Sequence, residues 1–211
     1  MKVITFTSNP NVYSCNAYLV LGSWNTIDDV NTLVDTGTDA WFLDQLPEIN
    51  TGVGKKPVQQ VVLTHCHFDH AGGIKKIRDK YKPEVLAYST FEGADRHLKG
   101  GETIRMGDSF FEVIHFPGHS QDSICFYSQS EKTLFSGDVQ LFIRTPGGTY
   151  LQSYVDVLCR IVDFPIARIF SGHDKPYEAD ESEIRKHLLD TLANVRNSEI
   201  HKNNHEGERY S

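Results

Sequence analysis

One run of ten residues, Thr64-His65-Cys66-His67-Phe68-Asp69-His70-Ala71-Gly72-Gly73, constrains this chain more than any other feature. It sets three imidazoles and a carboxylate within six positions, directly after the apolar run Val61-Val62-Leu63. Imidazole and carboxylate donors hold zinc at about 2.0–2.2 Å, and donors this crowded call for a cation to offset them. The chain must therefore deliver this loop rigidly to one point and bring further ligands to it from elsewhere.

Those ligands arrive singly, each at the end of a strand-like segment. His119 stands in Phe116-Pro117-Gly118-His119-Ser120, after the alternating run Phe111–Phe116. Asp138 stands in Leu134-Phe135-Ser136-Gly137-Asp138, and His173 in Ile169-Phe170-Ser171-Gly172-His173-Asp174. The pattern is an apolar strand, a glycine that permits a tight turn, then an acid or imidazole. Strand ends are rigid platforms, suited to a site whose ligands must be held closely in place.

With these blocks in order, the chain resembles the metallo-β-lactamase superfamily from about Asn16 to His173. The resemblance implies that His65, His67 and His119 hold one metal and that Asp69, His70 and His173 hold a second. Asp138 would bridge the two. Asp35, in Leu33-Val34-Asp35-Thr36-Gly37, matches a strand-end aspartate that supports the ligand loop without binding metal; ligating imidazoles usually need such a partner for their other nitrogen. The implied cofactors are two divalent ions, Zn2+ first, with Fe or Mn as alternatives because donors without thiolate accept all three. The implied fold is α+β, a four-layer αββα sandwich of two mixed β-sheets flanked by helices.

Pattern reading alone gives mixed α and β. Strands are expected at Val3–Phe6, Ala17–Leu21, Thr32–Val34, Gln59–Leu63, Glu84–Ala87, Thr103–Met106, Phe110–His115, Ser123–Tyr127, Thr133–Phe135 and Arg168–Phe170. Helical spacing marks Leu151–Val162 and Glu181–Val195, a short helix near Asp39–Leu46, and another over Ile74–Tyr81 that starts near His70 or Ala71. No linker or repeat divides the chain, so residues 1–200 are expected to form one domain and residues 201–211 a frayed polar tail.

Composition sets limits. The net charge of −7 argues against a nucleic-acid partner, which would call for a basic stripe. No stretch approaches the roughly eighteen apolar residues of a membrane span. The start Met1-Lys2-Val3-Ile4-Thr5-Phe6 has no signal-peptide character, which points to the cytoplasm. Cys15, Cys66, Cys125 and Cys159 form no Cys-x-x-Cys pair and read as free thiols. Cys66 lies between two candidate ligands, and alternation along an extended segment turns it away from them. His97, His115, His187, His201 and His205 lack motif support and read as surface or structural histidines. Thr145-Pro146-Gly147-Gly148 is a candidate substrate-contacting loop.

Two metals in one cleft suit hydrolysis, with a shared hydroxide as nucleophile and Asp69 orienting it. Asp138, a carboxylate where true β-lactamases of the family typically carry another residue, argues against lactam chemistry. The blocks around His119 and Asp138 look most like glyoxalase II-type thioester hydrolases acting on a small-molecule substrate. Gln121-Asp122 replaces the usual glycine there, and the full helical extension that binds glutathione has no room after His173. The alternatives are an acyl-homoserine-lactone-type lactonase, whose tyrosine after the bridging aspartate would have to be replaced by Tyr150 or Tyr154; a mononuclear iron persulfide dioxygenase using His65, His119 and Asp138; and a non-catalytic metal-stabilised binding domain.

Overall fold

Alternation along the strands sorts the apolar residues into three layers. In β2 (Ala17–Leu21), Tyr18 and Val20 face one side while Ala17, Leu19 and Leu21 face the other, and all five are buried. A strand buried on both faces must lie between two packed layers. A computed structural model of the protein describes residues 1–8, 11–88, 91 and 93–201, and it shows that arrangement.

The first sheet runs in the order β1 (Lys2–Phe6), β2, β3 (Thr32–Val34), β4 (Gln60–Val62), β5 (Glu84–Ala87), β6 (Arg96–His97). Its first three strands pair antiparallel and the rest parallel. The second contains β7 (Thr103–Met106), β8 (Ser109–His115), β9 (Ile124–Ser128), β10 (Thr133–Gly137), β12 (Arg168–Ser171) and β13 (Tyr177–Glu178), in the order β13-β12-β10-β9-β8-β7. Only β10 and β12 pair parallel in this sheet. A separate ribbon joins β11 (Thr149–Leu151) to β14 (Glu199–His201) in parallel.

Between the sheets, Tyr18, Val20, Val62 and Leu86 meet Phe111, Phe126, Phe135 and Phe170. Outside the first sheet, Leu19, Leu33 and Val61 pack on Phe42, Ile74 and Ile77, carried by 3-10 turns and by α2 (Ile74–Tyr81). Outside the second, Leu134 and Ile169 pack on α3 (Gln152–Ile161) and α4 (Glu181–Arg196) through Leu158, Leu188 and Leu192. The result is the expected αββα sandwich with two mixed sheets.

Differences from the sequence reading are local. The expected helix near Asp39–Leu46 is two 3-10 turns, Trp41–Asp44 and Leu46–Glu48, with Pro47 in the second. The helix expected to start near His70 is split: α1 (Phe68–Ala71) carries Asp69 and His70, and α2 begins only at Ile74. His201 closes β14 opposite Leu151; His205 and the rest of the expected tail lie outside the described residues. Among the described residues, no helix is long and apolar enough to cross a membrane.

Candidate metal centre

The site forms where strands of both sheets end. Parallel β3 and β4 end side by side, and Asp35 follows β3 with its backbone in the left-handed region, at φ 57. That turn aims the carboxylate at the ligand loop. Its Oδ1 accepts from the Thr64 amide at 2.8 Å, and its Oδ2 accepts from Thr64 Oγ1 at 2.8 Å and lies 2.9 Å from His70 Nδ1. Backbone bonds clamp the rest of the loop: Thr36 N donates to His70 O at 2.8 Å and Cys15 N to Asp69 O at 3.2 Å.

Two groups of donors result. His65 Nε2 and His119 Nε2 each lie 3.0 Å from His67 Nδ1. A single in-plane lone pair cannot satisfy two such neighbours, so three nitrogens converging in this way present a face to a cation. Asp69, His70, Asp138 and His173 form the second group, with ligand atoms all within 4.8 Å of one another. Asp138 touches both: its Oδ2 is 3.3 Å from His173 Nε2 and 3.5 Å from His119 Nε2, and its Oδ1 is 3.2 Å from His70 Nε2. Asp69 Oδ2 lies 3.2 Å from His173 Nε2.

Two atoms test whether this donor set suits a metal. His70 Nε2 and Asp138 Oδ1 are buried and face each other, yet neither makes a hydrogen bond among the described residues. Buried polar atoms are rarely left so. A divalent cation between them satisfies both, and imidazole plus carboxylate without thiolate suits zinc, iron or manganese.

The electrostatics point the same way. Burial, helped by the charge on His70, pushes the His65 imidazole down to about 4, so it stays neutral and ready to ligate. Burial also lowers His119. For His70, burial opposes charge, but the carboxylates of Asp35 and Asp138 outweigh it and hold its pKa far above the ordinary imidazole value. The hydrogen bond to Asp138 raises His173. Asp138, despite burial, is held well below the carboxylate range by His173 and His70. Without metal, protons on His70 and His173 thus stand where cations would otherwise balance the carboxylates.

Two residues that sequence reasoning passed over fix the geometry. Asp122 accepts from Ser120 Oγ at 2.7 Å and from the Cys66 amide at 2.9 Å, tying the His119 turn to the ligand loop. It stands where the sequence departs from the family's glycine, and that departure is the signal that could have found it. Asn16 donates through Nδ2 to Asp174 O at 2.8 Å and Ser171 O at 3.3 Å, and its amide bonds Gly172 O at 2.6 Å, fixing the His173 turn. Cys66 packs on the outer cluster of the first sheet, away from the donors.

On the rim, the exposed Tyr13 ring stacks on His173 at 5.3 Å and lies 6.0 Å from the exposed Phe68. Tyr154 is buried and donates to the Gln140 carbonyl, with Tyr150 stacked on it. The Thr145–Gly148 turn is braced by Ser198, whose Oγ accepts from Gly147 N at 2.8 Å. His115 stacks on Tyr88, and His97 is exposed in β6.

Comparison with known proteins finds relatives of this chain in sequence and in fold. A hydroxyacylglutathione hydrolase of Francisella tularensis subsp. novicida is 32% identical over 136 residues, 60% of this chain and 51% of that protein. The chain thus spans about half the length of the curated relatives it matches. Among solved structures, the BLEG-1 B3 metallo-beta-lactamase superposes with a TM-score of 0.66 at 25% identity, covering 89% of this chain and 98% of that one. TTHA1623 in a di-iron-bound form gives 0.63 at 25% identity, over 83% and 94%. Residues 10–173 match the family profile itself, and on that match the chain belongs to the metallo-beta-lactamase superfamily.

Proposed function

We propose that this chain is a metal-dependent hydrolase with two divalent cations, Zn2+ first and Fe or Mn as alternatives, acting on a thioester or ester of a small metabolite. The observation that carries the reading is the contact of one carboxylate, Asp138, with both donor groups at 3.2–3.5 Å. His65, His67 and His119 would hold one ion, Asp69, His70 and His173 the other, and Asp138 both. Bound divalent ions supply Lewis acidity and lower the pKa of water toward 7.

The protein's own groups do the rest. Asp69, buried beside His173, would orient the attacking oxygen by accepting its hydrogen bond. Asp35 fixes the tautomer and tilt of His70. Tyr13 and Phe68 wall the rim on which an acyl group would lie.

Thioesters come first because hydroxyacylglutathione, the substrate named for the Francisella relative, is a thioester. The engagement of the Tyr154 hydroxyl by Gln140 also removes one tyrosine a lactonase could use. Lactone hydrolysis is the second reading, favoured by the Tyr13 ring at His173. The net charge of −7 speaks against a nucleic-acid partner; residues 1–200 are taken as one domain.

The test is elemental analysis of protein purified without added metal, paired with rates on thioesters, lactones and β-lactams. Two ions per chain and thioesters fastest are expected. A lactone turned over a hundredfold faster would reverse the order. One ion at saturation, with His70 and His173 dispensable, would favour the mononuclear iron dioxygenase.

A further inference from the structure

Two carboxylates grip alternate amides of the ligand loop. Asp35, after β3 of the first sheet, accepts from the Thr64 amide at 2.8 Å. Asp122, in the turn between β8 and β9 of the second, accepts from the Cys66 amide at 2.9 Å. His65 therefore stands between two clamped peptide groups. Asp122 also reaches further: its Oδ1 accepts from Ser120 Oγ at 2.7 Å. Cys66 separates His65 from His67, and Ser120 directly follows His119. One carboxylate is thus bonded to the chain neighbours of all three imidazoles of the first donor group. Burial opposes its charge, but the bonds from Ser120 and Cys66 hold the carboxyl below the ordinary range, and a charged acceptor makes the stronger tie.

The two donor groups differ in what else holds them. In the second, Asp69 and His70 are buried. Its backbone is pinned by Cys15 N on Asp69 O at 3.2 Å, Thr36 N on His70 O at 2.8 Å and Asn16 N on Gly172 O at 2.6 Å. In the first group only His65 is buried, while His67 and His119 are exposed. Packing therefore fixes two of its three rings poorly, and the turn that carries His119 depends on its ties to the ligand loop. Ile124 N supplies one, donating to Thr64 O at 2.8 Å, a backbone bond that almost any residue could make. Asp122 supplies the tie that depends on a particular side chain.

We infer that Asp122 is the positioning residue for the ion held by His65, His67 and His119. It sets the spacing between His119 and the other two imidazoles, and hence the affinity for that ion, as Asp35 does for the other ion through His70. The inference rests on the two-cation reading above.

The test loads Zn2+ into wild type, Asp122→Ala, Asp122→Asn and Ser120→Ala. Each ion is followed by competition with a chelator and by the imidazole nitrogen signals of the histidines in NMR. Asp122→Ala is expected to hold the first ion about 10–100-fold more weakly. His67 and His119 should then lose their ligated signals at chelator concentrations where His70 and His173 keep theirs. Asp122→Asn retains an acceptor for the Cys66 amide and a donor for Ser120, and should recover most of the affinity. Ser120→Ala removes only the bond at Oδ1; it should fall between the two, and it carries the test if the alanine variant does not fold. An unchanged first ion, equal weakening of both ions, or an asparagine variant as weak as the alanine one overturns the inference. Failure of the two-cation reading looks different: wild type takes up a single ion at saturation. Weakening of that ion by Asp122→Ala would keep the positioning role and give up only the second ion, whereas no effect on it would end both.

Discussion

Asp138 and Asp35 are both carboxylates at strand ends, but they fail differently when changed. Asp138→Ala removes a carboxylate in contact with both donor groups and leaves the imidazoles facing each other with less negative charge between them. Elemental analysis should show the ion at Asp69, His70 and His173 lost first, and hydrolysis should fall at least about a thousandfold. The fold should survive, because Asp138 follows β10 and does not fill the core; two ions and near-normal rates would remove its bridging role. Asp35→Asn keeps a residue that tolerates the left-handed backbone at φ 57 but removes the charge facing His70 Nδ1. Metal affinity should drop about 10–100-fold, read by competition with a chelator. The candidate ligands His119, Asp138 and His173 are legible in the chain because each ends an apolar run. Asp122 and Asn16 are not, because their work is done on backbone atoms of distant segments that only the fold brings near.

At the scale of elements, glycine spacing decides how closely β10 and β12 bring Asp138 and His173 together. Gly172 has no side chain because a Cβ there would sit 2.1 Å from Asp138 Oδ1 and 2.8 Å from His70 Cε1. Gly172→Ala should therefore displace Asp138 and cost metal at the second group, while circular dichroism and the thermal midpoint of the metal-free protein change little. Retention of both ions would show that the turn can yield. The long strands and α2–α4 are readable from period-2 and helical spacing. The two-residue strands β6 and β13, and the ribbon of β11 with β14, are not; such segments are too short to show a period and exist only through their partners. The break between α1 and α2 hides for a similar reason. Gly72-Gly73 reads as helix-compatible locally, but Gly73 N bonds Gly37 O and ends the first turn for tertiary reasons.

For the whole molecule, metal and protons compete for the same centre, and this sets how stability responds to pH. In the metal-free protein His70 and His173 are raised above the ordinary imidazole value, through Asp35 and Asp138 for the first and Asp138 for the second. Their stabilising contribution is fully present below about pH 6.5 and is lost as pH rises through their folded values. His65, lowered to about 4 by burial, works the other way: it favours the fold above about 6.5 and withdraws that support as pH falls toward 4. Asp138, held low, contributes above the usual carboxylate pKa and loses that contribution only in acid. The raised pair has direct carboxylate contacts, so metal-free protein should fare best on the acid side of neutrality. Metal requires those same imidazoles unprotonated, so its affinity, and the stabilisation that grows with it, rises with pH. The gap in Tm between metal-loaded and chelator-treated protein should accordingly widen from pH 5.5 to pH 8, measured by thermal denaturation at fixed metal concentration. His70→Gln removes one of the raised imidazoles and should flatten the acid-side stability of the metal-free form. A gap that stays constant or narrows as pH rises would mean that the cations do not displace protons from His70 and His173, and the second donor group would then lose its assignment.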